Sequence, residues 1–293
     1  LGKEKQPMLF TNRFLGLVML LLVLTGCGKS VAVDHASQAR QRSQPTGNQQ
    51  AARKKLVQEG FPYTPEVLLE RAKIGDAHAV ELLLAAGINP NTRYLANTTA
   101  LMEAALFHRA DVVKVLLANG SEVNTRDDFG RTALSFAVQS GADASLIKSL
   151  LGKGADPNST LNNGQSLLFL ACDSPEVFQA LLENGADANA KDPNTGLSIL
   201  MNAVLAEQPD SVQAALEKNA EVNAKDNKGW SALMFAANNN KLEIARLLLK
   251  RGADVTAKAN NGETALAIAK RNRFPELVRL LQSRPAQKNL VSR

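Results

Sequence analysis

Apolar and polar positions follow a repeating pattern along most of the chain. In residues 223–256, NAKDNKGWSALMFAANNNKLEIARLLLKRGADVT, a turn-rich segment Asp226-Asn227-Lys228-Gly229 comes first, its glycine suited to the positive φ of a tight turn. Ser231 stands at an N-cap position before a short apolar helix, 232–237. A polar turn, 238–240, leads to a second helix with apolar Leu242, Ile244, Ala245, Leu247, Leu248 and Leu249, and Gly252 then fits the left-handed residue that ends it. Such a pair cannot bury its apolar faces alone. The pattern recurs, with Leu101, Leu134, Leu168, Leu200, Leu233 and Leu266 at intervals of 33, 34, 32, 33 and 33 residues. Asn91, Asn124, Asn158, Asn189, Asn223 and Thr256 keep the same beat. A period near 33 with turn–helix–helix chemistry predicts a stack of about seven repeats: 61–93, 94–126, 127–160, 161–191, 192–225, 226–258 and 259–284. In the first, helices are expected at 67–72 and 79–85, closing at Gly87.

The run GWSALMFAANNNKLEIARLLLKRGADV resembles the ankyrin motif G-x-T-P-L-H-x-A-A…L-L-x-x-G-A-D-V almost throughout. The resemblance implies an all-α ankyrin solenoid of helix-turn-helix repeats with β-hairpin-like fingers. Departures from the motif carry expectations of their own. Thr99-Ala100-Leu101-Met102, Thr132-Ala133-Leu134-Ser135 and Ser166-Leu167-Leu168-Phe169 lack the proline and histidine of T-P-L-H, which predicts a less stable stack than a consensus array. Asn97 and Asn219 replace expected glycines, and asparagine tolerates positive φ next best. Pro175 and Pro209 start second helices and the 192–196 finger has an extra residue, so the solenoid is expected to bend at repeats four and five.

The N-terminus follows a different logic. Lys3, Lys5 and Arg13 precede an apolar run at 14–24, too short for a comfortable transmembrane helix and suited to a secretory signal. Met8 is an alternative start to Leu1 and leaves Arg13 as the leading charge. Leu24-Thr25-Gly26-Cys27 resembles the bacterial lipobox. That resemblance implies a signal peptide at 1–26, lipidation of Cys27, a membrane contact through that anchor and, with Gly28 rather than Asp after it, an outer-membrane lipoprotein facing the periplasm. Gly28-Lys29-Ser30 is no phosphate-binding loop, because Val23 stands where that motif needs glycine. Residues 27–55, polar with Pro45 and Gly47, are expected to form a lipidated disordered tether with a reach of about 30 Å. The repeat domain is then 56–284 and a flexible tail 285–293.

Charge and composition narrow the function. The net charge of +6 sits in the tails, since residues 56–283 hold 22 basic and 26 acidic side chains. The solenoid therefore lacks the basic footprint of a nucleic-acid binder. Aromatic residues make up only 4% of the chain, as small side chains let helix pairs stack closely. The histidines His35, His78 and His108 have no second ligand at metal spacing, and neither a G-x-S-x-G nor a Cys/His pair is present. No cofactor and no enzyme activity is expected. With Cys27 lipidated, Cys172 is unpaired and fits a buried small core position.

Binding of another protein is the remaining reading. Ankyrin stacks, by resemblance, bind through finger tips and the concave side of the first helices, where aromatic and arginine side chains are the hot-spot candidates. In the fingers these are Tyr94, Leu95, Arg126, Asp128, Phe129, Arg131, Leu197 and Trp230; at the inner helix ends they are Phe107, His108, Arg109, Asn238 and Asn239. Tyr94-Leu95 and Phe107-His108-Arg109 depart most from the repeat pattern, which places the contact centre on repeats two and three. Ankyrin-repeat lipoproteins of this layout resemble immunity proteins that neutralise type VI secretion phospholipase effectors, which makes a toxic lipase effector the expected partner. The alternative is a scaffold for an envelope enzyme, like the ankyrin proteins linked to periplasmic catalase.

Overall fold

The computed structural model describes residues 45–283. Among these, the α-helices are α1 (Gly47–Gln58), α2 (Pro65–Ile74), α3 (Ala77–Ala85), α4 (Ala100–Leu106), α5 (Ala110–Ala118), α6 (Ala133–Ser140), α7 (Ala144–Leu151), α8 (Leu167–Leu170), α9 (Pro175–Glu183), α10 (Ile199–Leu205), α11 (Pro209–Glu217), α12 (Ala232–Asn238), α13 (Leu242–Lys250), α14 (Ala265–Arg271) and α15 (Pro275–Gln282). Even-numbered helices from α2 stack in an inner row and odd-numbered helices in an outer row, so seven antiparallel pairs follow a lone α1. The core runs between the rows. Column residues such as Ala72, Ala105, Val204 and Ala237 are fully buried against the next inner helix, and Val80, Val113, Ile147, Phe178, Val212 and Ala245 against the next outer one.

Local chemistry sets the helix ends. Thr64, Thr99, Thr132, Ser198 and Thr264 accept the N3 amide of their inner helices, and Asp76 and Asp143 do so for α3 and α7. Pro65, Pro175, Pro209 and Pro275 open helices at the first turn, where a missing N–H costs nothing. Ser231 occupies the expected cap position of α12 but makes no side-chain cap bond. At the end of α13, the Gly252 amide (φ +87°) donates to Leu249 O at 3.2 Å and Ala253 to Leu248 O at 3.0 Å, closing the helix as expected. Asn97 and Asn219 take φ +57° and +61°, so asparagine does replace glycine at both positions.

The asparagines at the finger bases form a ladder. Nδ2 of Asn91, Asn124, Asn158, Asn189 and Asn223 donates to the carbonyl of Gly120, Gly154, Gly185, Asn219 and Gly252 at 3.0, 2.8, 2.9, 3.4 and 3.2 Å. Each Oδ1 accepts, at 2.8 Å, the amide of Glu122, Asp156, Asp187, Glu221 or Asp254. One amide side chain thus satisfies a donor and an acceptor of the next repeat, which only asparagine does at this length. Thr256 ends the series. Its hydroxyl donates to Asp254 Oδ1 at 2.7 Å.

One expectation needs correcting. The tether expected at 27–55 ends in α1, which begins with a Thr46/Gln49 capping box and packs Ala52 and Leu56 on α3. The outer face of α3 needs a neighbour, and two apolar residues four apart suffice, which is why low hydrophobicity concealed the helix. The folded region therefore starts near residue 46 rather than 56. The fingers are turns without a sheet; among the described residues only isolated bridges occur, Thr160 to Ser166 and Lys191 to Ser198. In fingers three and six an aspartate holds the turn instead: Asp127 Oδ1 accepts the amides of Phe129 and Arg131 at 2.9 and 2.7 Å, and Asp226 Oδ1 those of Lys228 and Trp230 at 2.9 and 2.7 Å. The signal peptide expected at 1–26, Cys27 and the tail expected at 285–293 lie outside the described residues.

Repeats four and five are irregular for a readable reason. Pro175 follows Leu168 by seven residues, whereas Pro209 follows Leu200 by nine, so α8 is cut to four residues. The Phe169 carbonyl, deprived of its helical partner, accepts Asn202 Nδ2 at 3.0 Å, and the same group lies 3.1 Å from Cys172 Sγ. Asn202 occupies a column that is apolar at Phe136, Leu170, Phe235 and Ile268, and this bond explains the exchange. Cys172 is buried, and burial pushes its thiol up to about 12 against the milder pull of Asn202.

Finger tips are cross-linked in two groups. Asp128 N–H donates to Ala96 O at 3.0 Å and Asn162 Nδ2 to Asp128 O at 3.1 Å, joining fingers two to four. Asn227 and Asn260 join fingers five to seven through their amides, to Thr195 O at 3.1 Å and Lys228 O at 3.0 Å. Pro193 holds the equivalent place between fingers four and five. It offers no N–H, and no finger-to-finger hydrogen bond among the described residues crosses there.

Candidate protein-binding surface

The structure divides the expected contact residues into struts and free tips. Tyr94 is half-buried; its hydroxyl donates to Pro65 O, and burial, reinforced by Glu66, holds its pKa well above the usual tyrosine range. It braces repeat two against repeat one. Phe107 is half-buried with Lys73 Nζ 5.1 Å from its ring. His108 takes φ +56° and places Nε2 2.9 Å from Ser140 Oγ of the next repeat. Arg109 Nε donates to Lys73 O at 3.0 Å and lies over Gly75, where a Cβ would come within 2.8 Å of its Cδ. Trp230 leans on Phe235, centroids 5.1 Å apart. Asn238 accepts Asn272 Nδ2 through both its oxygens at 3.3 Å and donates to Asn239 Oδ1 at 3.1 Å. Leu197 is half-buried against the core.

The third finger is built around Asp127. Its buried carboxylate pairs with Arg131 at 2.7 Å, and the Arg131 guanidinium then lies 4.2 Å from the Phe136 ring and 5.0 Å from that of Phe129. Arg126 bridges fingers by donating to Gly130 O at 3.1 Å and Thr160 O at 3.0 Å. Asp128 accepts from Asn97 of the second finger. This framework leaves Leu95 84% exposed and Phe129 50% exposed on adjoining, hydrogen-bonded tips. Both are among the few large apolar side chains that the described residues expose.

Glu103 is a neighbour that reading for aromatics and arginines misses. It is half-buried on α4, in the column that holds phenylalanine or leucine at Phe136, Leu170 and Phe235. Burial raises its pKa, with Lys73 and Arg131 pulling the other way. Comparing columns rather than residue types would have exposed it. No group of three or more His, Cys, Asp or Glu that could hold a metal occurs among the described residues.

The family described as Ankyrin repeats (3 copies) matches at residues 68–160, 134–226 and 200–292. The chain belongs to the ankyrin-repeat family. Two solved ankyrin structures are similar to it. The ankyrin repeat domain of Bcl-3, described as a unique member of the IkappaB protein family, is 29% identical over 75% of this chain and 98% of its own, with a TM-score of 0.66. The human ASB11 ankyrin repeat domain is 28% identical over 75% of this chain and 99% of its own, with a TM-score of 0.62. No curated protein sequence matches the chain. Ankyrin stacks are extended scaffolds whose curved surfaces serve protein–protein interaction, and the fingers of this one present Leu95 and Phe129 outward.

Proposed function

We propose that this ankyrin solenoid is a non-enzymatic binder that docks its partner on fingers two and three. The observation that carries the reading is the pair of exposed apolar tips, Leu95 and Phe129, held rigidly beside each other by the Asp128–Ala96 bond. Apolar anchors at the centre of a polar rim are the usual seat of binding energy, and Arg126 and Asp128 supply that rim. Tyr94 and Trp230, being packed, contribute by holding the fingers in place.

The finer reading is a lipoprotein, anchored through Cys27 on the periplasmic side of the outer membrane, that acts as an immunity protein against a type VI secretion phospholipase effector. What supports it is the lipobox-like Leu24–Cys27 sequence and the tethered, catalysis-free layout. A tether raises the local concentration of inhibitor at the membrane a lipase attacks. The test has three parts. Mass spectrometry of the Cys27 peptide from envelope fractions should show acyl chains. Affinity capture on the full chain from envelope extract should recover a hydrolase that the purified protein inhibits at one-to-one stoichiometry. Leu95→Ala with Phe129→Ala should weaken that complex by at least about tenfold. Recovery of an enzyme whose activity rises on binding would instead select the scaffold role, and affinity unchanged within about twofold in the double variant would remove fingers two and three as the site.

A further inference from the structure

The last described repeat bears a face that in the other repeats is covered by a neighbour. Lys270 occupies the column of Ala72, Ala105, Val138, Cys172, Val204 and Ala237, all buried under the following inner helix. Val278 occupies that of Val113, Val212 and Ala245, buried under the following outer helix. Among the described residues Lys270 is exposed and Val278 half-buried, and both border an open groove of about 480 Å³ lined by Lys270, Arg273, Phe274, Pro275, Val278 and Arg279. Three cations and an apolar floor make up the lining, and no carboxylate contributes to it. None of the three cations makes a side-chain hydrogen bond or ion pair among the described residues, whereas Arg271 nearby is paired with Glu263.

Arg273 adds a second, backbone observation. It sits in the inter-helix turn at φ +60°, in the column of Gly75, His108, Gly141, Glu207 and Asn240. A side chain larger than asparagine there strains the backbone that glycine would relax. Where the column departs from glycine at His108 and Glu207, the side chain grips the next repeat, at Ser140 Oγ (2.9 Å) and Lys241 Nζ (2.5 Å). Among the described residues no repeat follows Arg273, and its side chain lines the groove.

We propose that this face is a second docking site, which receives an acidic segment of another protein carrying an apolar side chain. The apolar side chain fills the floor at Phe274, Pro275 and Val278, as a further repeat would, and carboxylates meet Lys270, Arg273 and Arg279. The chain's own residues 284–293 are the wrong complement, with Arg284, Lys288, Arg293 and no acid. The proposal is independent of the finger site.

Three labelled peptides test it on the full chain by fluorescence anisotropy: alternating Glu/Leu, Glu/Ser and Lys/Leu. The Glu/Leu peptide should bind, added salt should weaken it, and the other two should bind at least about tenfold more weakly. Arg273→Glu with Arg279→Glu should weaken the Glu/Leu peptide by at least about tenfold. Arg273→Gly provides the control for folding: relief of the positive φ should raise the melting temperature while peptide binding falls. The proposal is overturned if the charge reversals change affinity by less than about twofold, or if Glu/Ser binds as well as Glu/Leu. It is equally overturned if the same variants abolish concentration-dependent self-association in sedimentation, which makes a second copy the occupant, or if removing residues 284–293 tightens peptide binding more than about tenfold.

Discussion

Single side chains carry the coupling between repeats. Asn223 satisfies both Gly252 O and the Asp254 amide, two bonds lost together in Asn223→Ala. At about 1 kcal/mol net for each bond, urea unfolding should show a loss of about 1–3 kcal/mol. Glu103 gives a pH-dependent counterpart. Its folded pKa is raised by burial, so the ionised form is disfavoured in the folded state and costs stability once pH rises above its folded value. Glu103→Gln should therefore melt higher than the parent at neutral pH, and the gap should close as pH falls below about 4, where the unfolded carboxylate is protonated as well. A gap that stays constant with pH would mean the effect is not titration.

Elements show where the sequence could be read and where it could not. The periodic leucines and asparagines located all seven helix pairs because each repeat must present the same faces to its neighbours. The helix α1 escaped because it has one neighbour and needs only Ala52 and Leu56 to be apolar; the Thr46-x-x-Gln49 box was its one legible sign. Leu56→Ala should cost about 2–4 kcal/mol in urea unfolding, since the side chain is fully buried on α3. An unchanged midpoint would mean that α1 does not cap the stack. The candidate site was half legible. An aromatic in a finger can face outward or brace the next repeat, and only coordinates separate Phe129 from Tyr94, whose hydroxyl reaches Pro65 twenty-nine positions back. Asn202 was opaque for a related reason: its partner exists only because α8 stops early.

On the scale of the whole molecule, the hydrogen-bonded finger tips form two combs, two to four and five to seven, on a shared double row of helices. Amide exchange should follow this division. Tip amides within each comb, such as Asp128 and Asn260, should be protected relative to that of Asn163, which flanks the Pro193 gap. Uniform protection along all tips would contradict it. Across that gap the base of the stack is still joined by Asn189, at 3.4 Å to Asn219 O and 2.8 Å from the Glu221 amide.

Pro193 therefore gives the solenoid the mechanics of a leaf spring with one loose leaf. Under tension along its axis, strain concentrates where the tips carry no load and the Asn189 rung, the Asn202–Phe169 bond and the helix packing bear it, so the chain yields there first. A partner seated on fingers two and three rests on a stiff leaf, while one that spans both combs must also bear the elastic work of opening the seam.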